Sequence, residues 1–352
     1  MIARISAVDR AAVDDAIDAS LARLQKRGAG LGDAFDDLAA AMVRAASGGK
    51  RFRPALVLAA FRACGGTDGR RDAAASVAAA FELLHTAFVI HDDVIDHDTM
   101  RRGVPNVAGE FRRRALGDGA TPSAATGVGE AAAILAGDVL LYEATRLVAA
   151  VDLPADLRSR LLDLLDDAVL VSAAGELADV EHAAADAEAE DDSLIATAHD
   201  KTAVYSFAAP LAAGAVIAGA DETDAAALAA CGTHLGLAFQ LVDDLIGAFG
   251  TSAQAGRDAG VDLREAKQTP LIALARRTEG WHAVRDTLAV AHTGPIAVLD
   301  AQRALDESGA RAALVALIDS ALDAARTRAQ ELGAAASALV DRAADAIRER
   351  IP

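Results

Sequence analysis

Apolar residues recur at intervals of three and four along most of this chain, and no stretch shows the alternation of a strand, so the pattern predicts helices throughout. Ala7–Leu24 places Val8, Ala12, Ile17, Leu21 and Leu24 on one broad apolar face. After the break at Gly28–Gly32, Phe35–Ala46 predicts a second helix, ending at Ser47–Pro54 (SGGKRFRP), where Pro54 can open the next helix in its first turn. That helix runs to Cys64, and a long one follows from about Asp72 into an acidic cluster. Gly103–Gly129, rich in Gly, Pro, Ser and Ala, reads as a partly mobile loop with a short helical piece near Phe111. Helical spacing returns over Glu130–Ala149, Ala155–Asp179, Ser193–Ile217 and Ala225–Phe249, with a bend expected at Pro210. Glu181–Asp192 reads as a solvated acidic face or loop, and Gly250–Pro270 as a basic loop. Ile296–Leu305, Ala310–Gly333 and Ala335–Arg350 read as packing helices.

Two of these helices are interrupted by carboxylates. In Phe81–Gly103, Asp92 and Asp96 fall on one helical face about 6 Å apart along the axis. The run before them, Ala78–Ile90, is almost entirely apolar, and carboxylates at its end are costly to bury unpaired. Oxygen ligands so placed suit a hard divalent ion such as Mg²⁺. A second apolar helix carries Asp243 and Asp244 within Phe239–Gly250. Two such pairs facing each other across a bundle would form a cage in which several ions bridge a diphosphate and help it depart. Each cluster alone also reads as an ordinary solvated helix end.

Fixed positive charge accompanies both. Arg101 and Arg102 follow the first pair, and Lys50, Arg51 and Arg53 crowd the junction before Pro54, as either a solvated helix end or a grip on a second phosphate group. Lys201, beside Thr202 in an apolar helix, reads as an interior charge pair or as a side chain snorkelling to water.

Composition narrows the class. With 352 residues, 53% hydrophobic and only 3% aromatic, the chain can bury a large Ala-rich core in one helical domain, 1–352. A net charge of −18 argues against nonspecific nucleic-acid binding and against a surface that seeks anionic membranes. Cys64 and Cys231 are too few for a disulfide scaffold and fit a reduced compartment. The first residues lack a signal-peptide pattern, and Ala-rich stretches such as Phe207–Ala220 read as close helix packing rather than transmembrane segments. A cytoplasmic protein is expected.

In order along the chain stand Gly-Gly-Lys-x-x-Arg-Pro at Gly48–Pro54, Asp-Asp-x-x-Asp with Arg-Arg-Gly at Asp92–Gly103, Lys201-Thr202, Gln240 before Asp243-Asp244, and a basic loop. In these motifs the chain resembles the all-trans isoprenyl diphosphate synthases, especially bacterial geranylgeranyl diphosphate synthase-like members, over roughly Phe35 to Pro270. The resemblance implies an all-α, single-domain bundle of long helices around a central cavity, working as a homodimer. It implies that Asp92, Asp96 and Asp243 hold three Mg²⁺ ions, with Asp93 and Asp244 orienting ligands or metal-bound water. It assigns Arg101 and Lys201 to the allylic diphosphate, and Gly49, Lys50, Arg53, His85 and Arg102 to isopentenyl diphosphate. Pyrophosphate would leave, the allylic cation would be stabilised near Lys201, Thr202 and Gln240, the isopentenyl double bond would attack it head to tail, and the departed pyrophosphate would take the proton.

Two departures stand out. Gly247 occupies the third carboxylate position of the second motif, and Arg257 replaces the usual lysine of the basic loop, with Lys267 as a further cationic contact to the allylic diphosphate. Product length should be set by Phe81, Leu84, Ala87 and Phe88 beneath Asp92. In the family a bulky residue five positions before the first Asp goes with short products, so a tunnel opened at the small Ala87 and closed deeper favours C20, whereas a wall at Phe88, about 6 Å along the axis from Asp92, leaves C15 open. Longer products need a route past Phe81. Competing readings are a class I terpene cyclase, which ionises a diphosphate without isopentenyl diphosphate, and a noncatalytic partner subunit of a prenyl synthase.

Overall fold

Ser6 starts the first helix by accepting a hydrogen bond from Asp9 N (3.0 Å) while its hydroxyl donates to the Asp9 carboxylate, which satisfies an otherwise orphaned amide. The computed structural model describes residues 5–101, 103–184, 191–255 and 259–352. Its helices gather into two compact units, one of Arg4–Asp163 with Ala213–Ala220, the other of Leu164–Ala212 with Asp221–Pro352.

The first unit contains α1 (Ala7–Gly28), α2 (Asp33–Ala46), α3 (Phe52–Ala63) and α4 (Arg71–Ile95). A two-stranded antiparallel hairpin follows, β1 (Met100–Arg101) and β2 (Val104–Pro105), then α5 (Val107–Gly117) and α6 (Pro122–Ala149). α4 packs against α1, α3 and α6. Its middle is buried on nearly every side, Ala73–Ala75 and Val77–Leu84 with only Ser76 half-buried, as a largely apolar helix requires. Buried Glu143 of α6 fixes α1 alongside by accepting from Ser20 (2.5 Å) and Arg23, while Arg146 of its own helix also donates to it (2.9 Å).

The expected loop over Gly103–Gly129 is largely helix. Asn106 caps α5 by accepting from Gly109 N (2.9 Å), and Thr121 caps α6 just ahead of Pro122. The small residues that read as loop material permit close packing instead. A Cβ at Gly109 would overlap the Thr99 carbonyl, and one at Gly129 the Ala108 carbonyl. The hairpin, too short to leave an alternating pattern, turns at Gly103 with φ 78°.

α7 (Ala155–Ala184) carries residues of both units. Of the acidic run 181–192, residues 185–190 lie outside the described residues. α8 (Asp191–Ala203) passes through a π-helical turn, Val204–Ala208, into α9 (Ala209–Ala218). The widened turn lies just ahead of Pro210, whose missing N–H and ring disfavour a regular helix, so the bend expected there takes the form of an extra residue in the turn. α10 (Glu222–Phe249) follows. Short helices α11 (Ser252–Ala255) and α12 (Val261–Arg264) lie within the expected basic loop, and α13 (Pro270–Arg276) starts at its end. α14 (Trp281–Leu288), α15 (Pro295–Glu307), α16 (Ala310–Ala329) and α17 (Ala334–Arg348) complete the chain. α10 is the centre of the second unit, lying against α8, the π turn, α16 and α17.

Four helical stretches, Asp68–Ile95, Pro122–Ala149, Ser193–Ala218 and Glu222–Phe249, are long and apolar enough to cross a membrane by length and composition. In the folded chain the most apolar windows of the first and third are 78% buried, whereas that of α6 is only 39% buried.

Candidate active site

In the first unit the functional side chains come from the Ser47–Pro54 junction, the end of α4 and the hairpin. Asp92 lies in the last turn of α4, half-buried, and Asp96 is the exposed C-cap, its N–H bonded to Asp92 O (2.8 Å). The expected one-turn spacing of the two carboxylates is therefore kept to the helix end. Asp93 is buried, and Arg101 donates to its Oδ1 from both Nε (2.9 Å) and Nη2 (2.6 Å), with Nη2 3.6 Å from Asp92 Oδ2. Burial nevertheless holds the Asp93 carboxyl above its ordinary range, outweighing Arg101. Arg101 is thus tied to the acidic motif itself, and its partner Asp93 orients it.

His85 is half-buried on α4, seven positions before Asp92 and so on its face. Gly49 and Lys50 are exposed and Arg53 half-buried in the first turn of α3, but Arg51 points inward and is buried. Phe81, Leu84 and Ala87 are fully buried, with Phe88 half-buried nearer the carboxylates. Arg102 and Arg257 lie outside the described residues. A contact that sequence reasoning missed steadies the end of α4. His91 Nε2 lies 3.2 Å from the Ile134 carbonyl and 3.5 Å from Asp138, in space that a Cβ at Gly137 would fill.

In the second unit Lys201 Nζ donates to Glu176 Oε1 and Asp179 Oδ2, both at 2.9 Å, which settles its two readings in favour of a charge pair. Glu176 and Asp179 escaped the sequence reading. Their signal was a pair of carboxylates three apart on a leucine-rich helix, next to Gly175, where a Cβ would overlap the α8 backbone at Lys201. Thr202 Oγ1 donates to Gln240 Oε1 (2.9 Å), and Gln240 Nε2 donates to Asp244 Oδ1 (3.2 Å). The three residues form one hydrogen-bonded chain between α8 and α10.

Asp243 is half-buried and paired with Arg350 Nη2, whose guanidinium lies 4.3 Å over the Phe239 ring. Nothing in the sequence links residues 107 positions apart. Asp244 is buried, and its Oδ2 has no hydrogen-bond partner. Burial pushes its carboxyl up to about 7, against the pull of the exposed Lys267 and with a further push from Asp262 and Asp243. Gly247 has a local reason. The buried carboxylate of Asp262, from α12, fills the space that a Cβ at 247 would need.

Among the described residues no three His, Cys, Asp or Glu side chains are gathered as a ready-made metal site. Mg²⁺ binds through one or two carboxylates together with retained waters and substrate phosphates. The candidate donors, Asp92 and Asp96 in the first unit and Asp243 in the second, are all carboxylates, and the orphaned oxygen belongs to Asp244, next to Asp243 in sequence.

The polyprenyl synthetase family profile matches residues 36–293. The chain belongs to that family. Membership makes this polyprenyl synthetase a prenyltransferase of the trans, head-to-tail type, with the all-α fold expected from its motifs. It is 35% identical to the geranylgeranyl diphosphate synthase of Mycobacterium tuberculosis over 299 residues, 84% of this chain and 76% of that protein. Against the geranylgeranyl diphosphate synthase of Sulfolobus acidocaldarius it is 32% identical over 64% of this chain and 62% of that one. The farnesyl diphosphate synthase of Geobacillus stearothermophilus is 35% identical over 66% of this chain and 74% of its own. Among solved structures, the geranylgeranyl pyrophosphate synthase of Corynebacterium glutamicum, complexed with isoprenyl diphosphate and magnesium, superposes with a TM-score of 0.86. It is 27% identical and covers 96% of this chain and 97% of its own.

Proposed function

We propose that this polyprenyl synthetase makes geranylgeranyl diphosphate by adding isopentenyl diphosphate to allylic diphosphates. The observation that carries the C20 reading is on α4. Ala87, five positions before Asp92, is small and fully buried, and the large side chains Leu84 and Phe81 lie buried farther down the same helix. A chain growing from a diphosphate held at Asp92 passes Ala87 and stops at the deeper pair. Half-buried Phe88, one turn from Asp92, is the residue that would hold the product to C15.

Mg²⁺ is the cofactor, three ions with a bound diphosphate, held by Asp92, Asp96 and Asp243. The carboxylate-only donor set supports this, as does the magnesium in the Corynebacterium structure. When bound, the ions neutralise the diphosphate oxygens and lower the cost of breaking the allylic C–O bond. The chain's own residues do the rest. Arg350 leaves Asp243 so that the carboxylate can serve as a ligand. Lys201, held by Glu176 and Asp179, presents its charge to the allylic diphosphate without drifting. The Thr202–Gln240 pair turns amide and hydroxyl dipoles toward developing positive charge. Arg53, Lys50 and His85 hold isopentenyl diphosphate, whose double bond forms the new C–C bond while pyrophosphate accepts the proton. Apolar helices keep out water that would capture the cation.

The test is a Mg²⁺-dependent incubation with labelled isopentenyl diphosphate and dimethylallyl, geranyl or farnesyl diphosphate, resolved by chain length. A dominant C20 product is expected from the native chain and a shorter one from Ala87→Phe. An unchanged product distribution in that variant would place the wall elsewhere.

We assign the outward face of α6 to a second copy of this chain. Val128, Leu135 and Tyr142, seven apart, are 45%, 55% and 66% exposed, an apolar stripe of the kind that marks an interface. Equilibrium sedimentation should find a dimer, and a monomer at micromolar concentration would remove the assignment. We propose a cytoplasmic location, which the free thiols Cys64 and Cys231 support as residues of a reduced compartment.

A further inference from the structure

The Gly48–Arg53 junction turns in an unusual way. Gly48 and Gly49 have φ of 75° and 82°, and Arg51, which no glycine freedom helps, sits in the left-handed region at φ 50°, ψ 43°. That conformation costs a non-glycine residue roughly 1–2 kcal/mol and persists only where surrounding contacts over-determine it. Here they come from three helices. Arg51 Nε donates to Asp14 Oδ1 of α1 (2.7 Å), and Nη1 to the Ala46 carbonyl ending α2 (3.0 Å) and to Glu82 Oε1 of α4 (3.0 Å). Arg10 adds a bond to the Gly49 carbonyl (3.0 Å).

Arg51 is 5% exposed and Glu82 6%. The other oxygen of Glu82 is buried without a hydrogen-bond partner, so Arg51 is the cation against which this carboxylate is buried. Buried with Glu82 and spent on three acceptors, Arg51 leaves no exposed donor for a phosphate. It makes a brace, and the brace joins two parts of one grip. Lys50 and Arg53 flank Arg51 on the turn, and His85 follows Glu82 by three positions on α4. A Cβ at Gly49 would stand 3.6 Å from Glu82 Oε1, which shows how closely the turn is drawn to that helix.

We propose that Arg51 is the positioning residue of the isopentenyl diphosphate site, fixing the Lys50–Arg53 turn against the His85 helix through Glu82 while touching no substrate itself. The proposal rests on the reading of that turn as a diphosphate grip. Lysine at position 51 keeps the charge but cannot reach three acceptors in a planar fork. Its effect should therefore fall on one substrate.

Steady-state kinetics of Arg51→Lys should show the KM for isopentenyl diphosphate raised about tenfold, with the KM for the allylic substrate changed less than about twofold and the melting temperature close to native. Amide hydrogen exchange over residues 47–52 should quicken in the same variant. Asp14→Asn, which removes one brace at a partly exposed site, should move both readouts in the same direction by less and serves if the lysine variant does not fold. An unchanged isopentenyl diphosphate KM in a folded variant would overturn the proposal, as would equal KM changes for both substrates. If the native chain itself turns over no isopentenyl diphosphate, the functional reading fails, and the exchange measurement still decides. Unchanged exchange would dispose of the brace, and faster exchange confined to the turn would uphold it.

Discussion

Asp92→Ala lowers turnover by about a thousandfold while the protein stays folded. Losing one ligand to an ion that stabilises the departing diphosphate removes several kcal/mol from the transition state, and each 1.36 kcal/mol is a factor of ten in rate. The fold tolerates the change because the Asp92 side chain is only partly buried, at 29% exposure, and Arg101 lies farther from it (3.6 Å) than from Asp93 (2.6 Å). Arg101 keeps both its bonds to Asp93, and the repulsion that Asp92 exerts on buried Asp93 disappears. Turnover at saturating Mg²⁺, measured beside a melting curve, checks both halves. Near-native turnover would withdraw Asp92 from the metal site.

The second large effect is on stability. Asp244→Asn raises the melting temperature of the metal-free protein at pH 8 by several degrees, and the gain fades toward pH 4. Burial first, with Asp262 and Asp243 adding, lifts the folded carboxyl to about 7 from an ordinary value of 3.8. Between those values the unfolded chain has lost its proton and the folded chain has not, so the native protein loses stability as pH rises through the window. By pH 8 the full penalty, a few kcal/mol, is present. Asparagine never carries the charge and keeps an Oδ1 for the Gln240 amide. Melting curves at pH 5 and pH 8 separate this from simple packing. Equal gains at both would mean that Asp244 is not held protonated.

The central helix and the carboxylate spacing were legible because each is a local pattern on one helix, whereas Thr202 and Gln240 drew notice only through the resemblance to a family. What was not legible depends on partners far away in sequence. Arg350 meets Asp243 and Asp262 fills the space at Gly247 by tertiary packing, which no spacing rule anticipates. Lys50, Arg51 and Arg53 look alike as letters, and only the left-handed backbone at Arg51 turns one of them into the interior. Glycines 109 and 129 misled in the opposite direction. Composition cannot separate a glycine needed for a loose turn from one needed for contact between backbones, and both of these serve contact.

The π turn at Val204–Ala208 carries a meaning beyond accommodating Pro210. A helix advances about 100° per residue, so one residue more or fewer between Ala203 and Ala209 would rotate Lys201 and Thr202 by that angle against the helix that follows. The turn is a phase setter. Its length, independent of any side chain in it, keeps Thr202 aimed at Gln240 and Lys201 at its two carboxylates. A single deletion there could fold into a smoother helix and still lose catalysis, with every recognisable motif intact.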